Sequence, residues 1–105
     1  MRKALPLIVL VLTALVATLF TGCSANSGQK LFAMHCSGCH PNGSNTIHPS
    51  KTLKAAALQA NMITSPEDIV DKMRNPGPGM PRFTEVMIPN NQAMKIARYV
   101  MNTFH

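Results

Sequence analysis

The chain has 105 residues, a formal net charge of +6, and five aromatic residues against 46% hydrophobic ones. Its basic excess is spread thinly, with no run of five or more like charges, so with so few aromatics the composition gives little support to nucleic-acid binding. The length admits one small domain, and so small a domain seldom builds a sufficient core alone. A metal, a disulfide or a cofactor is therefore expected at its centre.

The chain opens like an export signal. Arg2 and Lys3 precede an apolar run, "ALPLIVLVLTALVATLF" (4–20), slightly short of the ~20 residues that span a bilayer. The run leads into "FTGC" (20–23), which resembles the lipobox of bacterial lipoproteins and makes Cys23 a candidate acylated N-terminus. Phe20 stands where that motif usually has Leu, which leaves ordinary signal-peptidase cleavage and a retained anchor helix as alternatives. Residues 1–22 are read as a lipoprotein signal peptide, 23–27 as a polar tether and 28–105 as the folded domain. After cleavage eight Lys and Arg face four Asp and Glu, a net +4.

Within the domain Ser27 is a candidate N-cap for a helix over "GQKLFAMHCSGCH" (28–40), which Pro41 ends. Residues 41–50 read as a loop and "KTLKAAALQANM" (51–62) as a helix. Ser65 caps a third helix with Pro66 in its first position and Glu67 and Asp68 in its first turn, running to Asn75. "NPGPGMPRF" (75–83) can be neither helix nor interior strand, because proline fixes φ and removes donors. A last helix begins near Asn90, with Ala93, Ile96, Ala97, Val100, Met101 and Phe104 on one face. No alternating pattern calls for a strand, so the expected fold is all-α, about four helices with long loops. Met73, Met80, Met87, Met94 and Met101 recur every seven residues, but Pro76, Pro78, Pro81 and Pro89 interrupt any coiled coil through them.

"CSGCH" (36–40) is C-x-x-C-H, the attachment pattern of c-type haem. Cys36 and Cys39 would form thioethers to one porphyrin, and His40 would be the proximal iron ligand. Export agrees with this chemistry, since a covalent bond keeps the cofactor from being lost outside the cytoplasm. The same residues leave three other readings: a thioredoxin-like redox pair, a simple disulfide, or half of a zinc site completed among His35, His40, His48 and His105. For a sixth iron ligand the candidates are His35, His48, His105 and the seven methionines after Met1. Met80 is singled out because it lies downstream, off any helix and between Pro78 and Pro81. A stiff loop presents sulfur to iron with little loss of chain entropy.

Gly28, Phe32, Cys36, Cys39, His40, the "MPRF" around Met80 and Tyr99 together resemble the class I cytochromes c. "NGSNTIHPSKTLKAAAL" and "IVDKMRNPGPGMPRF" are similar to the small photosynthetic type that substitutes for plastocyanin, and with a lipobox the chain also resembles the monohaem outer-membrane lipoprotein cytochromes of metal-reducing bacteria. The resemblance implies one covalent haem c wrapped by the helices. It also implies a crossing of first and last helices at Gly28, Phe32 and Tyr99.

Further expectations follow for single residues. His40 should donate its second ring N–H to a carbonyl of the 41–50 loop. His48 could sit beside a haem propionate and couple potential to pH, the alternative being an ordinary exposed loop histidine, and Phe83 is expected to pack against the porphyrin. The expected function is that of a low-spin His40/Met80 single-electron carrier and not an enzyme. It is exported and lipid-tethered, with the outer membrane or periplasmic face favoured by Ser24. It would act as a monomer, exchanging electrons with other redox proteins in a respiratory or extracellular metal-reduction chain. Lys51, Lys54, Lys72 and Arg82 could steer an acidic partner. The alternatives are a haem-based redox or gas sensor, and an assembly lipoprotein that uses haem structurally.

Overall fold

The computed structural model describes residues 26–105 together with Pro6, Ile8 and Val9. Cys23, its tether up to Ala25 and most of the expected signal peptide lie outside the described residues. Among the described residues no helix is long and apolar enough to cross a membrane. Within 26–105 the chain forms four α-helices and no strand: α1 (Gly28–His35), α2 (Ala55–Ala60), α3 (Pro66–Arg74) and α4 (Asn90–Thr103). A short 3₁₀ turn at Pro41–Gly43 follows α1.

α1 starts where Ser27 Oγ accepts the Lys30 N–H at 3.3 Å. It ends at His35, five residues before the expected stop at His40. The cause is local competition for carbonyls. The Ser37 N–H falls on the Phe32 carbonyl, and its hydroxyl donates to the Ala33 carbonyl at 2.6 Å. Beyond that point the N–H groups of Cys39 and His40 share one acceptor, the Cys36 carbonyl, so the motif forms a tight turn instead of helix.

α2 is likewise shorter than the expected span over 51–62. Lys51 closes a turn onto the His48 carbonyl, Leu53 donates to the Gly43 carbonyl, and Lys54 is extended (φ −68°, ψ 147°). Those bonds hold 51–54 against the preceding loop. α3 follows its sequence signals closely. Ser65 and Asp68 form a reciprocal capping box, and Pro66 occupies the first turn, where a missing N–H costs nothing.

α4 is the longest helix and packs against both α1 and α3. Its Ala93, Ile96, Ala97 and Val100 are buried with Leu31 and Phe32 of α1, Leu58 of α2, and Ile69 and Met73 of α3. Ile88, from the turn before α4, completes this core and is fully buried. The α1–α4 crossing is close: a Cβ on Gly28 would lie 2.3 Å from the Lys95 carbonyl oxygen and 2.9 Å from Tyr99 Cβ. Just beyond, Phe32 packs on Tyr99 and on Phe104, each at a 5.4 Å ring separation. The heptad methionines are scattered: Met73 lies in α3, Met80 and Met87 lie in loops, and Met94 and Met101 lie in α4. No single helix carries them all.

Candidate functional site

Beside this core three segments, two neighbouring in sequence and one about thirty residues further on, line one mostly apolar cleft. They are the turn at 35–40, the loop at 45–48 and the proline-rich loop at 78–83. Cys36, Cys39 and His40 come from the first, His48 from the second, and Met80 and Phe83 from the third. The cleft is open to solvent at its mouth, and its wall is mostly apolar.

His40 is fixed by its neighbour. Its Nδ1 lies 2.8 Å from the Ser44 carbonyl oxygen. A carbonyl can only accept, so Nδ1 carries the proton and Nε2 keeps a free lone pair, the form in which imidazole binds a metal. The Gly43 N–H, bonded to the His40 carbonyl at 3.1 Å, closes the turn that brings Ser44 back over the ring.

Cys36 and Cys39 are not joined to each other by a disulfide. Burial pushes the Cys36 thiol up to about 11. That is the opposite of the depressed pKa a thioredoxin-like nucleophile requires. A thioether has no charged form, so the same apolar surroundings cost it nothing. Among the described residues no group of three or more His, Cys, Asp and Glu is placed to hold a bare metal ion. A zinc site built on the Cys pair would need such a group. Two thiols, one tautomer-fixed imidazole and one thioether around an apolar slot fit a covalently bound porphyrin.

The loop at 45–48 is organised by Asn45. Its Oδ1 accepts the N–H groups of Ile47 (3.0 Å) and His48 (2.8 Å), while its Nδ2 donates to the Lys51 carbonyl at 2.9 Å. The His48 ring then reaches the methionine loop, its Nε2 donating to the Pro78 carbonyl at 3.0 Å. The next residue, Gly79, has φ +91°, and a Cβ there would come within 2.9 Å of Ile47 Cγ2. Met80 and Phe83 are half-buried against the core, and the Phe83 ring lies 6.4 Å from that of His35.

Sequence reasoning passed over Ser44, Asn45 and Arg74. Ser44 and Asn45 act through a backbone carbonyl and an ordinary turn side chain, which no spacing marks. Arg74 had one faint signal, a basic residue in the last turn of the helix that feeds the proline-rich loop. Its Nη1 donates to the Phe83 carbonyl at 3.0 Å, and its Nη2 to the Ile88 carbonyl at 2.9 Å and to Asn90 Oδ1 at 2.8 Å.

The chain is similar to proteins of a known family. A family model described as cytochrome c oxidase, cbb3-type, subunit III matches residues 24–100. Cytochrome c6 of Cyanidium caldarium is 35% identical over 101 residues, covering 90% of this chain and 91% of that protein. Among solved structures, the outer-membrane cytochrome OmcF of Geobacter sulfurreducens superposes with a TM-score of 0.74 at 53% identity, over 75% of this chain and all of that one. Cytochrome c6C of a Synechococcus superposes with a TM-score of 0.67 at 29% identity, over 71% of this chain and 90% of that one.

The chain belongs to the class I c-type cytochromes, with one covalently attached haem c. Within that class it is cytochrome c6-like, and it is a monohaem electron carrier.

Proposed function

We propose that this cytochrome passes single electrons through a haem held by thioethers from Cys36 and Cys39, with His40 Nε2 and the Met80 sulfur as axial ligands. The observation that carries this reading is the convergence of Cys36, Cys39, His40 and Met80, from two distant segments, on one cleft. The bound haem supplies a one-electron couple, and Met/His ligation raises its potential relative to more donating ligand pairs. The chain's own part is to fix the imidazole through Ser44, to frame the sulfur between Pro78 and Pro81, and to cover the porphyrin with Phe83. With His40 and Met80 as its two protein ligands, a bound haem iron would keep no open place for substrate. The protein therefore relays electrons between redox partners through small, short-lived contacts and acts as a monomer.

Lipid attachment at Cys23 would tether the domain to a bacterial membrane, in a respiratory or metal-reducing chain. The lipobox-like "FTGC" and the similarity to an outer-membrane cytochrome support that placement. Replacing Cys23 with Ala and fractionating the cells tests it, the expected result being release of the cytochrome from the membrane fraction. His48 braces the methionine loop and, in the same reading, couples the haem's charge to a proton, because a reduced iron favours a nearby imidazolium. A midpoint potential with unchanged pH dependence in His48→Phe would remove that role.

A haem-based gas sensor would use the same cleft with a Met80 that leaves easily. Exposing the reduced protein to carbon monoxide at neutral pH separates the two readings. A carrier keeps its spectrum unchanged; a sensor binds the gas.

A further inference from the structure

We propose that Arg74 is a positioning residue for the electron-carrying site, clamping the base of the loop that presents Met80. The loop leaves α3 at Asn75, whose N–H is tied to the Asp71 carbonyl at 2.7 Å. It returns at Phe83, and both backbone polar groups of Phe83 are held by consecutive residues at the end of α3. The Phe83 N–H donates to the Met73 carbonyl at 2.9 Å, and its carbonyl accepts from Arg74 Nη1 at 3.0 Å. The second terminal nitrogen, Nη2, spans the Ile88 carbonyl and Asn90 Oδ1, so one rigid fork fixes the returning end of the loop to the start of α4. All three acceptors are neutral, and the guanidinium lies at the C-terminal end of its own helix, where positive charge is favoured. The Nε atom is buried without a partner, a desolvation cost kept although a shorter polar side chain would avoid it.

The consequence bears on ligand exchange. Between the clamped base and the His48–Pro78 bond, the loop has little freedom to swing Met80 away. An external ligand can reach the iron only in the fraction of molecules whose loop is open, and its apparent affinity is reduced by that fraction. Weakening the clamp should therefore tighten external-ligand binding without altering the haem attachment.

The test rests on Met80 ligation and checks it at the same time. Ferric holoprotein is titrated with imidazole while the weak far-red iron–sulfur band is followed, in wild type, Arg74→Gln and Arg74→Lys. Unfolding midpoints are recorded separately from the helical circular dichroism. The expected result is imidazole affinity roughly tenfold higher in Arg74→Gln, with Arg74→Lys between it and wild type, because an ammonium reaches one acceptor where the fork reaches three. If Arg74→Gln yields no folded holoprotein, Arg74→Lys alone decides, an affinity several-fold above wild type being the supporting result. A lowered unfolding midpoint with imidazole affinity unchanged would overturn the proposal, since a merely structural strut behaves that way. A wild-type protein without the iron–sulfur band would overturn the Met80 reading itself, and the role of Arg74 with it.

Discussion

Nε2 of His48 donates to the carbonyl of Pro78 across thirty residues of sequence, at 3.0 Å. This bond and the contact beside it, Gly79 against Ile47, close the methionine loop onto the loop that follows the haem-attachment motif. A Gly79→Ala variant would have to hold φ near +91° and push its methyl group to within 2.9 Å of Ile47 Cγ2. The expected outcome is a loss of about 1–3 kcal/mol, with the iron–sulfur band disappearing at a lower temperature than the helical signal. Paired thermal melts at the two wavelengths check it.

The crossing of α1 and α4 sets a second test. In Gly28→Ala the new Cβ meets the Lys95 carbonyl oxygen at 2.3 Å, and backbone cannot yield as a side chain can. Alanine gains up to about 1 kcal/mol of helix preference over glycine, which is smaller than the cost of prising two packed helices apart. Net destabilisation of about 1–2 kcal/mol is expected, seen as a melting temperature lower by roughly 5 °C or more.

Asp68 governs part of the acid response. Backbone N–H groups of Thr64 (2.9 Å) and Ser65 (3.0 Å) donate to its Oδ2, as does the Thr64 hydroxyl (3.3 Å), and these bonds hold its carboxyl below the ordinary value of 3.8. The unfolded chain binds the proton more readily. The stabilisation from Asp68 is thus fully present above pH 3.8 and is lost as pH falls through the folded-state value. Asp68→Asn should be less stable than wild type at neutral pH, and the gap should narrow in acid. Denaturation midpoints at neutral pH and at about pH 3 read this directly.

Met62 offers a stabilising change. α2 ends in a Schellman motif, with the Met62 N–H on the Gln59 carbonyl at 3.0 Å and the Ile63 N–H on the Leu58 carbonyl at 2.9 Å. Met62 takes the left-handed position at φ +59° with 85% of its surface exposed, so little packing is lost on replacing it. Met62→Gly should raise stability by roughly 0.5–1 kcal/mol, measured as a higher denaturation midpoint.

The helices were readable in the sequence wherever a local signal governed them. Ser65, Pro66 and Asp68 mark the start of α3 because a capping box is a short-range arrangement, and the period of Ala93, Ile96, Ala97 and Val100 marks the buried face of α4. α1 and α2 proved shorter than expected because their ends are set by competing bonds. Ser37 takes carbonyls from α1, and the Gly43 and His48 carbonyls hold the segment before α2. The candidate site was partly legible for the same reason. C-x-x-C-H carries its chemistry in five consecutive residues, and a methionine between prolines marks a rigid loop. The bracing by Arg74, Asn45 and His48 depends on which loops meet, and no spacing encodes that.

The central claim is that Met80 closes the iron site opposite His40, and the ferric visible spectrum of purified holoprotein tests it most directly. The expected result is a weak far-red iron–sulfur band in wild type that is absent from Met80→Ala, with the ferrous c-type spectrum retained in both. A wild-type protein without the band, or a Met80→Ala variant that keeps it, would contradict the assignment.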